Sequence, residues 1–591
     1  MSATTILGAP AEMYTAGTLY FLYTIGLIFA CVLTARLLVP LFYPLRLTSS
    51  YEYLELRFQS KAVKFTGTII MIVTMLLYSG ITTYAPSTAL ETVTGFPTWA
   101  TIISVGFVST LYTFLGGMKA VIWTDFFQAI VMVIGLLAIV IQGFAEVGGF
   151  NEVWKINKEW DRIEFWKWDP NPAVRHSSWS LIVGGGILWI AAFGGQPSVQ
   201  RFSALPTLRK AKLSIYLNIV GCILLMLLTC LAGIAMFAYY AKKGCDPLTD
   251  GQVKNPNQLL PYFVMEILGY PGLPGLFVSC LFSGALSTMS SNLNSVSAVI
   301  WEDIIKPHVS SNISESKKAW ITRSLVVIFG AASVGVSFMV QNFGGTVLQI
   351  SLSFTGAAVG PLVGMFFLGG LFPWANAIGS VIGGISGLGL ALWIGFGSYS
   401  LPRTGGLGLS FPRSNCTVIE DVLSTLNSTT TTSSPSPVVT TDVELTALQH
   451  MYTVSYLYFP AIGMLTTIVV GLLISLITAP CYRKIEVDPK YLIPFFDRLY
   501  CCLPERWRRP CRFGYDFLDP EELTRRTDEE RELKNDNQQK TANKGDNEVN
   551  TKQAKVFASN GIASLSYRHL QPNQNFVYEN SGYQVESVSQ K

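Results

Sequence analysis

The sequence predicts an all-α, polytopic membrane protein made of two repeats of five helices followed by extra C-terminal helices. Half of its 591 residues are hydrophobic and only 14% are charged, whereas about 25% are charged in a typical soluble domain. Its mean hydropathy is +0.38. Eleven apolar segments are long enough to cross about 30 Å of hydrocarbon, and two places are marked by helix-breaking residues.

The opening residues, Met1 to Tyr14, are too short to span a bilayer and are interpreted as part of an incomplete first helix. The full-length candidates follow at about 16–43, 63–90, 97–116, 120–143, 180–199, 211–240, 272–304, 320–341, 349–371, 374–396 and 455–479. Counting the opening fragment, five helices run to residue 143 and five more run from 180 to 371. This count predicts two repeats, each beginning with an interrupted helix.

The connections between spans predict the orientation. Short basic connections alternate with the segments 91–96, 144–179, 241–271, 342–348 and 397–454. Because Lys and Arg are enriched in cytoplasmic connections, this second set is predicted to lie outside. Residues 1–479 then form the transmembrane core, and residues 480–591 form a cytoplasmic tail. From about 521 the tail has few large apolar residues, which predicts disorder.

The long outer loop at 397–454 has features of an extracellular segment. Asn415 and Asn427 are N-glycosylation acceptors, and a Ser/Thr/Pro-rich run follows them. Cys245 and Cys416 are both predicted to be external. The sequence leaves open whether they form a disulfide or stay unpaired.

Composition also excludes several functions. The net charge is only +4, which gives no basis for nucleic-acid binding. Ten cysteines and four histidines show no metal-ligand spacing. No constellation of catalytic residues is present, so we expect neither an enzyme nor a cofactor.

A polar stripe crosses the apolar span at 272–304. Its hydroxyl and amide side chains recur at helical spacing on one face: Ser283, Ser287, Ser290, Ser291, Asn294 and Ser297. Neutral oxygens suit a small cation such as Na⁺, which exchanges its water shell for hydroxyls and carbonyls. The alternative is that these small residues only let helices pack closely or bond back to their own carbonyls.

Helix-breaking residues occur at corresponding places in the two repeats. The first interruption is predicted at Gly8 to Pro10, and the second at Gly184 to Gly186 together with Gly194 to Pro197. Unwound backbone in a membrane helix offers carbonyls to a cation and amides to an anion. The alternative is that these residues mark no site, because Gly and Pro are frequent in membrane helices in general. The matched placement favours a site between the two interruptions.

Three polar residues stand out inside spans. Asp125 and Gln128 are three residues apart and share a helix face. A carboxylate inside the membrane is by default interpreted as functional. Here the hypothesis is that Asp125 helps Na⁺ leave toward the cytoplasm. The alternative is that Asp125 is a first-turn acid stabilised by the helix dipole. Arg36, near the inner end of its span, is expected to reach the lipid headgroups.

Six phrases resemble the sodium/solute symporter family, in its branch of monocarboxylate, iodide and multivitamin carriers. They are residues 7–14 (LGAPAEMY), 50–58 (SYEYLELRF), 115–125 (LGGMKAVIWTD), 199–201 (VQR), 271–277 (PGLPGLF) and 283–307. The resemblance implies a LeuT-like core of two five-helix inverted repeats with alternating access. It also implies a plasma-membrane carrier that imports Na⁺ with a small organic anion such as a monocarboxylate, a vitamin carboxylate or iodide.

The resemblance also assigns roles to individual residues. It implies a sodium site made by the hydroxyls of Ser287 and Thr288, the carbonyl of Gly284 and carbonyls that begin at about Met1. It places Asp125 and Gln128 on a sodium pathway. The substrate region is implied near Ala3, Gly8, Pro10, Trp189 and Gln196.

Two departures from the family pattern motivate other hypotheses. Family members carry an additional leading helix and a complete first broken helix, so the chain is predicted to be truncated, and a non-transporting isoform or membrane sensor is the alternative function. Residues 193–198 (FGGQPS) differ from the Asn-Gln pattern of the vertebrate carriers. An ion channel is a third hypothesis, although no repeated filter sequence supports it. The tail is a candidate site for cytoplasmic regulators.

Overall fold

The computed structural model describes most of the chain as helix. The described residues are 2–269, 272–309, 313–343, 346–400, 409–416, 446–480, 487–499, 504–529 and 532–533. The predictions for Met1, Asn427 and the Ser/Thr/Pro-rich run lie outside them. The chain divides into one unit from Met1 to Arg525 and a second from Arg526 to Lys591, of which residues 526–529 are helical.

The first repeat contains four continuous helical stretches. They are α1 (Ala3–Ala16), α2 (Tyr23–Leu33), α3 (Lys61–Thr94) and α4 (Thr98–Val147). A 3₁₀ turn, Thr18–Leu22, leads into α2, and a π turn, Thr34–Leu38, followed by Val39–Phe42, extends it. A short helix, Glu52–Phe58, precedes α3.

Helix α4 is two membrane helices joined at a bend. Its 50 residues would extend about 75 Å if straight, more than twice the hydrocarbon thickness. Gly117 interrupts it with φ 57° and ψ −157°, a conformation open to glycine and strained for side chains with a Cβ. The bend therefore separates the two spans that the sequence predicts at 97–116 and 120–143.

The second repeat begins with an interrupted helix. Its elements are α5 (Gly185–Gly194), α6 (Gln196–Ser203), α7 (Leu208–Lys243), α8 (Leu273–Val299), α9 (Glu315–Val340) and α10 (Val347–Leu371). Two further helices, α11 (Ala377–Ser400) and α12 (Phe459–Thr478), follow. Shorter helices are Phe150–Glu159, Leu259–Ile267, Ala447–Tyr452, Phe495–Leu499 and Glu505–Arg508.

Within the described residues, nine helices are long and apolar enough to cross a membrane, and the bent pair α5 and α6 makes a tenth. Dividing α4 at Gly117 brings the total to the eleven predicted spans. The observed bounds differ from the predicted ones by a few residues at most ends, because polar and aromatic residues at the interface continue helices beyond their apolar core.

The packing of the two repeats is reciprocal. Helix α1, the first of its repeat, packs against α7, the second helix of the other repeat; α5 in turn packs against α2. Helix α8 packs along α4, and α10 contacts both α1 and α5. This arrangement places α1 and α5, the first helices of the two repeats, at the centre of the bundle. Residues of either repeat can therefore line a site between them.

Only one of the two predicted interruptions is a break. Gly195 has extended backbone (φ −75°, ψ 167°), and the chain bends by 48° between α5 and α6. The prediction at Gly8 to Pro10 was wrong, because α1 is continuous through Pro10. Proline removes one backbone hydrogen bond, but tight packing of α1 on α7 and α10 holds the helix on both sides. At Gly184 the chain is also helical, in a π turn.

A disulfide fastens the outer loop to the end of α7. Cys245 is bonded to Cys416, and the Asn415 backbone amide donates to the Gly244 carbonyl at 3.1 Å. The exposed Asn415 side chain donates to the Lys243 carbonyl at 3.3 Å. The bond therefore closes a long loop, 171 residues in sequence.

We expect Cys245→Ser combined with Cys416→Ser to destabilise the protein by about 2–4 kcal/mol, because the unfolded chain gains freedom when a long loop opens. The measurement is the thermal unfolding midpoint of purified protein with and without reductant. Reductant should lower the midpoint of the wild type and leave the double variant unchanged. Equal midpoints for the oxidised wild type and the double variant would contradict the expectation.

Candidate functional site

A carboxylate joins three elements near the centre of the polar stripe. Asp125 on α4 accepts hydrogen bonds from Ser287 at 2.6 Å and from Ser291 at 3.3 Å, both on α8. Arg201 on α6 donates to the same carboxylate at 2.5 Å and to Ser291 at 2.6 Å. The Asp125 side chain is 15% exposed and that of Arg201 is 44% exposed. A carboxylate and two hydroxyls therefore converge where water has access.

A second group of oxygens lies one helical turn away. The Thr288 hydroxyl donates to the Gly284 carbonyl at 3.0 Å, which places two oxygens suited to a cation side by side. A Cβ added to Gly284 would lie 2.8 Å from the Ala3 nitrogen, so glycine allows the start of α1 to touch α8 here. Glycine commonly allows such close contact between membrane helices.

Hydroxyls from two other helices complete this second group. The Tyr78 hydroxyl on α3 interacts with the side chains of Ser2, Thr4 and Thr288, and Ser2 and Thr4 hydrogen-bond to each other. Four hydroxyls thus surround the contact between α1 and α8. Met1, the remaining predicted sodium ligand, lies outside the described residues.

The polar stripe divides between the two interpretations that the sequence left open. Ser287 and Ser291 donate to the Asp125 carboxylate instead of to carbonyls of their own helix. Ser290 and Ser297 bond back to carbonyls three residues earlier, which is the structural role, and Thr288 likewise bonds back to the Gly284 carbonyl, four residues earlier. The Gly284 and Thr288 oxygens each keep a lone pair for a cation. Gln128 is buried, and its Oε1 has no hydrogen-bond partner among the described residues.

Gln196, at the break between α5 and α6, is occupied by protein contacts. Its carbonyl accepts from the backbone amide of Ser50 at 2.7 Å and from the Ser50 hydroxyl at 2.8 Å, while its amide donates to the Thr48 carbonyl at 2.7 Å. These bonds satisfy the Ser50 amide and the Thr48 carbonyl, and they tie the bend at Gly195 to the segment before the short helix Glu52–Phe58. In this conformation Gln196 anchors the bend.

The other predicted substrate residues lie in the centre of the bundle. Ala3 is fully buried, a Cβ at Gly8 would collide with the Leu348 side chain, and the Pro10 carbonyl lies against Gly233. Trp189 stacks on Phe193 at 5.4 Å and packs against the apolar cluster that includes Ala9 and Leu348. The two repeat-leading helices therefore share one core.

The comparison with protein families identifies the chain. The model of the sodium:solute symporter family matches residues 1–387. The chain belongs to this family. The symporter is 42% identical to human sodium-coupled monocarboxylate transporter 1 over 502 residues, which cover 83% of this chain and 80% of the relative.

Two further relatives and one solved structure resemble the symporter. The sodium-coupled monocarboxylate transporter 2 of Danio rerio is 39% identical (84% of this chain, 78% of the relative), and the sodium-dependent multivitamin transporter of Oryctolagus cuniculus is 41% identical (86% and 78%). A substrate-bound, outward-open Na⁺-coupled sialic acid symporter, described as having a novel Na⁺ site, superposes with a TM-score of 0.62 at 22% identity, covering 82% of this chain and 88% of that one. The symporter thus has the predicted LeuT-like fold.

Sequence reasoning missed a buried ion pair in the symporter. Glu12 on α1 is completely buried and accepts from Arg175 at 2.6 Å and 3.3 Å. Thr346, at the start of α10, donates to it at 3.1 Å. Burial opposes the charge of Arg175, but Glu12 overcomes that penalty and raises the pKa of Arg175. The only signal in the sequence is that Glu12 is an acidic residue in an apolar segment, and this does not indicate which residue pairs with it.

A histidine borders this ion pair. The His176 Nε2 lies 3.6 Å from Glu12 and 3.0 Å from the Tyr456 hydroxyl. Burial lowers the pKa of His176 to about 4; Glu12 opposes this shift and the neighbouring Arg175 adds to it. His176 is therefore neutral at pH 7.

We expect acid to destabilise the symporter through His176. Between its ordinary pKa of about 6.5 and its folded pKa of about 4, the unfolded state binds more protons, so stability falls as pH falls. The loss is about 2 kcal/mol at pH 5. The measurement is the unfolding midpoint between pH 7.5 and pH 5. His176→Gln should flatten this pH dependence, and an unchanged dependence in that variant would refute the role of His176.

Proposed function

We propose that this symporter couples inward Na⁺ movement to the import of a monocarboxylate. The observation that carries the proposal is the convergence of the Asp125 carboxylate with the Ser287 and Ser291 hydroxyls, beside the oxygens of Gly284 and Thr288. A membrane potential of 100 mV contributes about 2.3 kcal/mol per Na⁺. One or two ions therefore supply enough free energy to concentrate an anion against its own charge.

Two cation positions follow from the chemistry. One uses the Gly284 carbonyl and the Thr288 hydroxyl together with oxygens at the start of α1, including Met1. The other uses Asp125, Ser287 and Ser291, with Gln128 along the same route. Partial exposure of Asp125 and Arg201 supports a release pathway in which Arg201 replaces Na⁺ on the carboxylate as the ion leaves.

Unpartnered polar atoms support an anion site in the shared core. Among the described residues, the buried atoms without hydrogen-bond partners include Trp189 Nε1 on α5, Tyr20 Oη in the 3₁₀ turn before α2, and Ser353 Oγ and Thr355 Oγ1 on α10. Buried polar groups are normally satisfied, and all four can donate to a carboxylate. They complement the region of Ala3, Gly8, Pro10 and Gln196.

The two ion pairs suit alternating access. Glu12 is fully buried and Arg175 is 29% exposed, in segments predicted to lie toward the outside. Asp125 and Arg201 are more exposed, at the end predicted to face the cytoplasm. A buried ion pair on the outer side and a more exposed ion pair on the inner side are expected when the pathway to the cytoplasm is the more open of the two.

The relatives favour this transport role over a non-transporting sensor. Three are sodium-coupled monocarboxylate or multivitamin transporters by name, so a monocarboxylate is the first substrate class to test. We also infer a plasma-membrane location, a cytoplasmic C-terminal tail that binds regulators, and glycosylation of Asn415 and Asn427 on the outside. The comparisons support a multi-pass membrane protein of this family, and each of these three inferences is a further proposal.

The test is uptake of labelled short-chain monocarboxylates, biotin and iodide by cells or proteoliposomes, with Na⁺ or with choline in its place. We expect saturable monocarboxylate uptake that requires Na⁺. Ser287→Ala combined with Thr288→Ala should raise the Na⁺ concentration for half-maximal uptake about tenfold or more. Ser279→Ala is the matched control, since Ser279 lies on the same helix and, among the described residues, its hydroxyl bonds only to the Gly275 carbonyl. Uptake unaffected by choline would refute coupling.

A further inference from the structure

A basic pocket lies at the inner ends of two membrane helices. It has a volume of about 570 Å³, within the range of small-molecule sites. It is lined by residues of the π turn and short helix after α2, by the first turns of α7, and by described residues within 494–498 and 508–520. None of these residues belongs to the cation or substrate sites described above.

The pocket contains more positive than negative side chains. Five cations line it: Arg36, Lys212, Arg498, Arg508 and Arg512. Two carboxylates oppose them. Asp497 pairs with Arg508 at 3.0 Å and with Arg512 at 2.9 Å, and Asp519 lies on the lining. Three cations are therefore left without a carboxylate within ion-pair distance among the described residues.

These three cations are held in different ways. Arg498 donates to the Leu37 carbonyl at 3.1 Å, and burial lowers its pKa to about 10, against the weaker effect of Asp519. Arg36 projects from a π turn, a local geometry often found at functional sites. Neither Arg36 nor Lys212 makes a hydrogen bond or ion pair among the described residues. Their charges are thus available to a ligand.

The pocket is continuous with a lipid-facing surface. Lys212 and Tyr216 line the pocket from α7, and Leu213, Leu217 and Val220 on the adjoining face of that helix are 53%, 62% and 67% exposed. An apolar face with this exposure in a membrane helix contacts acyl chains. A ligand that combines a polyanionic head with apolar chains matches both surfaces.

We propose that this pocket binds the phosphorylated headgroup of an anionic phospholipid of the inner leaflet. The phosphates contact Arg36, Lys212 and Arg498, and the acyl chains lie along Leu213, Leu217 and Val220. Basic pockets at the cytoplasmic ends of membrane helices suit such headgroups, and guanidinium groups bind phosphate with two parallel hydrogen bonds. The assignment to the inner leaflet rests on the orientation proposed above; the pocket chemistry does not.

The test uses the purified full-length chain in detergent, so that binding is measured independently of transport and orientation. The probe is acyl-labelled phosphatidylinositol bisphosphate, followed by fluorescence anisotropy. We expect Arg36→Gln combined with Lys212→Gln to weaken binding about tenfold or more. Lys317→Gln combined with Lys318→Gln removes two charges at the start of α9, outside the pocket, and should leave affinity within about twofold. Arg498→Gln provides a third variant, which should also bind more weakly.

Competition separates a lipid from a soluble polyanion. Inositol trisphosphate carries the phosphates without the acyl chains, so it should displace the lipid only at much higher concentration. Equal potency of inositol trisphosphate and intact lipid would overturn the assignment to a phospholipid. Undiminished lipid binding by the Arg36→Gln and Lys212→Gln double variant would overturn the pocket itself.

Discussion

Replacing Asp125 with Asn is expected to raise the Na⁺ concentration for half-maximal uptake about ten- to hundredfold. The change removes a negative charge that accepts hydrogen bonds from Ser287, Ser291 and Arg201. Interactions of charged groups with such partners contribute about 1.5–3 kcal/mol each, and each 1.4 kcal/mol corresponds to about a tenfold change in affinity. The measurement is Na⁺ activation of monocarboxylate uptake, corrected for the amount of protein at the surface.

Arg201→Gln is the matched variant for this prediction, because it should act in the opposite direction. If Arg201 competes with Na⁺ for Asp125, its removal frees the carboxylate and lowers the half-activating Na⁺ concentration. If Asp125 serves only as the counter-ion of Arg201, both variants should impair the protein alike through the same lost ion pair. Equal impairment would therefore contradict a cation site at Asp125.

Glu12→Gln is expected to destabilise the symporter by about 3–5 kcal/mol. The substitution leaves the Arg175 guanidinium without its buried partner, and an uncompensated charge in such an environment is strongly unfavourable. It also weakens the link between α1 and Thr346. The measurement is the thermal unfolding midpoint of the purified chain, together with the fraction that reaches the cell surface.

The double variant Glu12→Gln with Arg175→Gln separates charge pairing from packing. Removing both charges avoids an unpaired buried ion, so the double variant should be more stable than Glu12→Gln alone. Additive losses in the double variant would show that the pair contributes no coupling energy. If the pair also seals the outer side, the double variant should increase labelling of the core from outside by a membrane-impermeant reagent.

Local sequence features predicted the spans and one of the two breaks. Gly194 and Gly195 precede Pro197, and together they stop one helix and begin the next. The same kind of signal at Gly8 and Pro10 gave a wrong prediction, because α1 continues through Pro10, where neighbouring helices pack against it. Whether a proline breaks a helix depends on what packs around it, and spacing along the chain contains no information on that.

The candidate site was predicted in part. Helical spacing put Ser287 and Ser291 on one face, and the cost of burying a carboxylate singled out Asp125. The sequence did not reveal that these three side chains are in contact. It also did not reveal that Arg201 is hydrogen-bonded to Asp125 and Ser291. Ser2, Thr4 and Tyr78 had no distinguishing signal, since isolated hydroxyls are frequent in membrane helices.

The sequence by itself determined that this protein is an all-helical, multi-pass membrane protein, because apolar length and composition leave few other ways to satisfy a backbone in lipid. The symporter function came from the resemblance of its motifs to the family. Only the tertiary structure decided which charges pair. Asp125 and Arg201 are 76 residues apart, and Glu12 and Arg175 are 163 residues apart. Ion pairing in a low-dielectric interior depends on distances of a few ångströms, and those distances are set by which helices pack together.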